Sequence, residues 1–284
     1  MRLSLLALAF ATTLLPSAAC QPAEEVCKPG PSQAYVITSL SFTREVPRGV
    51  APGFNLDARV TEKADDFSCG HTDLVSPTGE KGIDNQLALL IPEVEKRVGN
   101  AIDGIVQGAI NDGRLLILFD LKNVNSTEDD GCVDMQVSLG SGKPTLGGDG
   151  VVEAWQTFDL RKEGQQHSYA TGGSIKKRVF SIGPFPLRIP IAVFDVSFLV
   201  FLRDAVIRFT VDDEGNVEGL LGGGVSIDEI AEGVRTGAGV EPLIPQIKFL
   251  GNASADLGYN DADGKCSLVS AALSFKARPA FVRR

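Results

Sequence analysis

The sequence predicts an α+β fold: a large, strongly twisted antiparallel β-sheet, one long helix over about 84–111 packed along it, and a short helix near 226–234. Three observations carry this reading. Apolar residues recur at steps of three or four from Leu87 to Ile110, and at steps of two through much of the chain beyond it. Clusters of Gly, Asp, Asn and Pro punctuate the two-residue pattern closely enough for hairpins. Hydrophobic residues at 43% and charged residues at 22% are globular values, and a net charge of −9 argues against a nucleic-acid partner.

The elements come in order. Residues 34–42 are rich in β-branched and aromatic side chains and read as the first strand. Residues 43–82 show little periodicity, with turn signals at Pro47, Gly49, Pro52, Gly53, Pro77 and Gly79. In the long helix Leu87, Leu90, Ile91, Val94, Val98, Ile102, Ile105 and Ile110 share one face. Asp84 is the expected N-cap, and Asn111-Asp112-Gly113 the stop. Pro92 predicts a kink or a later start. Gly104 and Gly108 each cost about 1 kcal/mol relative to Ala, which implies close backbone approach to a neighbour.

Beyond Arg114 the period becomes two. Leu115, Ile117, Phe119 and Leu121 form one strand face, and Val133, Met135, Val137 and Leu139 another, across a turn at Asp129-Asp130-Gly131. Residues 140–150 are glycine-rich loop, and 151–182 hold two or three short strands. Phe194, Val196, Phe198, Val200 and Leu202 occupy even positions, whereas Ala205, Ile207, Phe209 and Val211 occupy odd ones. Such a phase switch at Arg203-Asp204 predicts a bulge or tight turn. A hairpin loop comes next at 212–216, a capping box at Ser226 to Glu229 opens the short helix, and 266–281 read as a closing pair of strands.

The first twenty residues carry an address. Arg2 precedes an uncharged, mainly apolar run from Leu3 to Leu15, and small residues lead to Cys20. The run is too short to span a bilayer and reads as a signal segment. Together these residues resemble a bacterial lipoprotein signal, the lipobox, although Ser17 stands where Leu is usual. The resemblance implies cleavage before Cys20, acylation of Cys20 through sulfur and usually on its amine, and attachment to a membrane. Gln21, in place of an Asp, implies the outer membrane, facing the periplasm or the cell surface. The expected organisation is a signal peptide over 1–19, a lipidated tether over 20–32 and one α+β domain over 33–284.

Removing Cys20 from the five cysteines leaves Cys27, Cys69, Cys132 and Cys266, which read as two disulfides of an exported protein. Three connectivities are open; joining the chain ends through Cys27–Cys266 is slightly preferred.

Signs of catalysis are sparse. His71 and His167 are the only histidines, each in a polar setting, and there is no G-x-S-x-G nucleophile turn. No cofactor is expected beyond calcium, for which Asp73, Asp84 and Asn85 are the candidate ligands in an oxygen-rich loop ahead of the helix. A long helix with alternating strands folding over it is similar in organisation to tubular lipid-binding domains. That similarity implies a lipid or other hydrophobic ligand between helix and sheet, against Leu87, Ile91, Val94, Val98, Ile102 and Ile105. The leading expectation is thus a membrane-anchored, non-enzymatic lipoprotein that is structural or binds a protein partner. A hydrophobic-ligand carrier comes second and an extracytoplasmic hydrolase third.

Overall fold

In the computed structural model the strands of the two-residue pattern close on themselves. The structure describes residues 27–98, 102–162, 167–193, 196–235 and 244–283, so the leader and Cys20 lie outside the described residues. The chain begins with β1 (Gln33–Phe42), β2 (Leu74–Val75), β3 (Lys81–Ile83), α1 (Leu87–Val98) and α2 (Ile102–Asn111). It continues with β4 (Ile117–Lys122), β5 (Asp129–Ser141), β6 (Thr157–Leu160), β7 (Ser168–Lys176), β8 (Val179–Val193) and β9 (Val196–Val211). The last elements are β10 (Val217–Ser226), α3 (Ile227–Arg235), α4 (Ile244–Ala253) and β11 (Leu268–Arg283).

Eight of these strands form a closed antiparallel barrel, in the ring order β1–β4–β5–β7–β8–β9–β10–β11. The seam is the pairing of β11 with β1, from Ala34 opposite Ala280 to Phe42 opposite Leu273. β6 bridges the ends of β5 and β11, antiparallel to the first and parallel to the second. The expected twisted sheet with one long helix is therefore corrected. Closure removes the two exposed edges that an open sheet would leave, and eight strands enclose a bore that side chains can fill.

Inward positions are aromatic and aliphatic. Phe209 lies 4.6 Å from Phe180, 5.4 Å from Phe119 and 6.2 Å from Phe275 between ring centroids, and these rings fill the middle of the bore. Outward positions include the exposed Arg208, Thr210, Glu218, Ser274 and Lys276. An apolar bore with a charged exterior reverses the arrangement of membrane-spanning barrels. No helix among the described residues is long and apolar enough to cross a membrane.

In place of the expected long helix the structure describes two shorter ones, α1 and α2, with 99–101 outside the described residues, and no described helix runs through the bore. β1 pairs with β4 only over Gln33–Val36, so its second half lacks a partner on that side. α2 packs there against β1 and also touches β8. Its side chains bind the bare edge: Gln107 donates to the Thr38 carbonyl (2.9 Å), and Asp103 accepts from the Phe42 N–H (3.3 Å). A Cβ on Gly104 or Gly108 would meet nothing within 4 Å, so close approach is not the reason for these glycines.

Asn85, rather than Asp84, caps α1: its Oδ1 accepts from the Ala88 N–H (3.2 Å). The closing strand pair is also corrected, because β11 is one unbroken strand of 16 residues. The phase switch in β9 is a bulge, with Asp204 at φ 52° and the register against β10 slipping between Gly222 and Gly224. α4 lies in a proline-broken stretch whose sequence carries no clear helical period.

Residues 43–86 leave the barrel and return over the outer face of β10 and β11. Phe54 sits so close to Gly222 that a Cβ there would stand 2.5 Å from its ring. Asn85 accepts from the Ala272 N–H (3.2 Å) on the same face, and Ala51, Leu74, Ile83 and Ala88 form a small core beneath the excursion.

Two disulfides hold this arrangement. Cys27 joins Cys132 with Cα atoms 5.1 Å apart, and Cys69 joins Cys266 at 6.0 Å. The preferred Cys27–Cys266 pairing is corrected. The first bridge fastens the segment before β1 to β5, and the second fastens the 43–86 excursion to the loop before β11. Such bridges belong to an oxidising, extracytoplasmic environment.

Candidate functional site

Aromatic rings leave almost no room in the middle of the bore, where the residual space is about 20 Å3. Toward the end covered by α1 and α3 the side chains shrink. There Val200, Val225, Val269 and Ala271 replace the phenylalanines, and a cavity of about 200 Å3 opens between the strands and the helices. Its lining is wholly aliphatic and aromatic. Leu40 and Ile189 border both spaces, so the cavity continues the barrel core. α1 contributes Leu87 and α3 contributes Ile227 and Ile230; Leu87 and Ile230 are half-buried and form its outer wall.

α3 lies there because β10 runs directly into it: Ser226 Oγ accepts from the Glu229 N–H (3.4 Å), as the capping box requires. α1 is held by Arg44 at the end of β1. The Arg44 guanidinium donates through Nε to Glu95 (3.1 Å), makes a second bond to the same carboxylate, and reaches Asp103 of α2 at 2.9 Å. One cation thus ties both helices to β1. Its bonds hold the Glu95 carboxyl below the ordinary range and raise the guanidinium further still.

Behind α1 lies a buried polar chain. Ser270 donates to Asp256 (2.5 Å) and accepts from the Gln86 N–H (2.8 Å) at the start of the helix. Burial pushes the Asp256 carboxyl up to about 6, against the hydrogen bonds from Ser270. Asp84 accepts from the backbone N–H groups of Leu56 (2.6 Å) and Asp57 (3.3 Å), and burial raises it to about 8. Neither acid lines the cavity, whose wall stays apolar.

Of the six residues expected to contact a hydrophobic ligand, the structure brings only Leu87 to the cavity. Ile91 is buried elsewhere, Val94, Ile102 and Ile105 are half-buried away from it, and the side chain of Val98 lies outside the described residues. Sequence reasoning misses the cavity residues Val200, Leu202, Val225 and Ala271, which sit on the inward phase of β9, β10 and β11. Their one signal is alternation, and alternation marks core and cavity wall alike.

The expected calcium ligands each accept from a backbone N–H. Asp73 accepts from the Thr61 N–H (2.5 Å), Asp84 holds residues 56 and 57, and Asn85 caps α1. No group of three or more potential ligands gathers among the described residues. His167 Nδ1 stands 2.9 Å from Ser138 Oγ and its ring lies beside Tyr169, whereas burial lowers the pKa of His71. The chain matches no protein-family model, no curated protein and no solved structure.

Proposed function

We propose that the chain is an exported, non-enzymatic lipoprotein that carries an apolar ligand in the cavity beneath α1 and α3. The wholly apolar lining of that space carries the reading. A cavity of about 200 Å3 is somewhat larger than the roughly 150 Å3 apolar hole that stays dry and admits benzene. It takes one ring or a short stretch of acyl chain, with the remainder of the ligand emerging between Leu87 and Ile230. The lipobox-like leader supports an anchor at acylated Cys20, and Gln21 supports the outer membrane. A tethered carrier of this kind receives its ligand at the membrane surface.

Native mass spectrometry of residues 21–284 purified from a periplasm tests the reading. Extra mass that disappears on organic extraction is expected. Ala271→Leu, which fills the cavity from β11, is expected to remove that mass while the barrel stays folded. A bare protein mass in the unsubstituted chain would overturn the carrier.

A further inference from the structure

A second hollow lies at the end of the barrel opposite the apolar cavity, beside the β7–β8 and β9–β10 turns, open to solvent and about 690 Å3 in volume. This falls within the roughly 300–1,000 Å3 of ordinary ligand sites. Its floor is the start of β1 and the end of β11, and its most prominent feature is an exposed aromatic pair. Trp155, the only tryptophan in the chain, is 62% exposed, and Phe281 of β11 is 53% exposed. Their ring centroids lie 5.8 Å apart with the planes tilted by 41°, so they form a shallow cradle.

The cradle is built, not floppy. The Trp155 N–H donates to the Pro279 carbonyl (2.6 Å), and the Phe281 N–H donates to the Gln156 carbonyl (2.8 Å). Gln156 in turn spans the loop, donating to the carbonyls of Thr145 and Glu153 and accepting from the Thr145 N–H. Trp155 also has φ 63°, a left-handed conformation that is unfavourable for a bulky L-residue. Its indole recovers little of that cost by burial. Strain kept at an exposed aromatic is the pattern of a site maintained for binding.

The groups around the pair set the class of ligand. Arg178 is bound to Asp213 (2.7 Å) and lies near Glu128 (3.6 Å), so its charge is neutralised. Asp212 accepts from the N–H groups of Glu214 (2.9 Å) and Asn216 (2.7 Å) in its own hairpin. Tyr35 donates to Gln33 (2.9 Å) at the floor. Each carboxylate is fixed in orientation yet keeps lone pairs for further donors. Asp120, Asp212 and Asp213 outnumber Arg178 on the lining, so it disfavours anions, and a tilted aromatic pair beside carboxylate acceptors matches a sugar ring that carries no charge. The apolar C–H face lies on the aromatics, and the equatorial hydroxyls meet the rim.

We propose that this hollow binds a neutral saccharide chain, independently of the apolar cavity. With one tryptophan in the chain, intrinsic fluorescence reports on the site directly. Titration with a panel of soluble neutral hexasaccharides, β-1,4-linked glucose, β-1,4-linked N-acetylglucosamine and α-1,4-linked glucose, is expected to shift the emission to the blue with at least one member. The same member is expected to protect Trp155 from acrylamide quenching. By calorimetry, Phe281→Ala is expected to weaken binding at least tenfold. Trp155→Gly, which suits the left-handed backbone, is expected to abolish binding while leaving the urea midpoint equal or higher. No response to any of the three sugars, or unfolding of the Trp155→Gly protein, would overturn the proposal, because the indole would then be structural. Loss of the apolar ligand by Ala271→Leu leaves these titrations unchanged.

Discussion

Asp84→Asn is expected to stabilise the protein at pH 8 by several kcal/mol and to flatten its dependence on pH between about 7 and 8. Burial raises the Asp84 carboxyl to about 8 in the folded protein, opposed by the hydrogen bond from Leu56 and reinforced by Asp57, Asp73 and Asp256. In the unfolded chain it titrates near 4. Between these values the folded state holds a proton that the unfolded state has lost, so stability is full below about pH 4 and falls as pH rises toward 8. Each pH unit in that window costs up to about 1.4 kcal/mol, and the full shift about 6 kcal/mol as an upper bound.

Asp256, raised to about 6, adds to the slope only below that value, and His71, lowered by burial, opposes it up to its unfolded value near 6.5, so Asp84 dominates the slope between about 7 and 8. The amide oxygen of Asn can accept the same Leu56 and Asp57 N–H groups without carrying charge. Urea midpoints of the two proteins at pH 5, 6, 7 and 8 check this: parallel curves would show that Asp84 ionises freely in the fold. Acids held below their ordinary range act in the opposite sense. Asp65, Asp149, Asp159 and Asp212 stabilise above about pH 4 and lose that contribution as pH falls through their folded values. Maximum stability is therefore expected near pH 5.

Replacement of Cys69 and Cys266 together by Ser is expected to lower stability by about 4–5 kcal/mol. The two residues are 197 positions apart, and on the chain-entropy model a loop of that length lies at the upper end of disulfide stabilisation. The bridge Cys27–Cys132, 105 positions apart, has nearly the same entropic weight, since the dependence on length is logarithmic. The difference lies in which segment comes loose. Without Cys69–Cys266 the 43–86 excursion keeps its contacts at Phe54, Asn85 and the Phe67–Tyr259 ring pair (5.2 Å) but loses its covalent anchor. α1 is capped from this excursion, so the wall of the apolar cavity is expected to loosen with it, and ligand retention to fall alongside the urea midpoint. Loss of the other bridge is expected to lower the midpoint and spare retention. Equal retention in both variants would separate the excursion from the cavity.

The strands themselves were legible. The alternation in β4, β5 and β9 and the bulge at Asp204 arise from side-chain identity along one segment, because inward and outward positions differ in polarity. The capping box of α3 was legible for the same reason, since its partners lie three residues apart.

Closure was not legible. Whether β11 returns to β1 depends on the twist accumulated over eight strands and on which pairs meet across some 240 residues, and no local pattern records either. The same holds for the disulfides. Four cysteines imply two bridges, but the barrel decides which pairs stand within reach. The cavity was hidden most completely, because Val200, Val225 and Ala271 look like any other inward residues. Their smallness matters only once five strands and two helices set them around one space. Sequence by itself determined most of the strands, the short helix after β10 and the oxidising compartment, since these rest on residue type and short spacing. The barrel, the pairing and the empty end of its core were decided by contacts between segments distant in the chain.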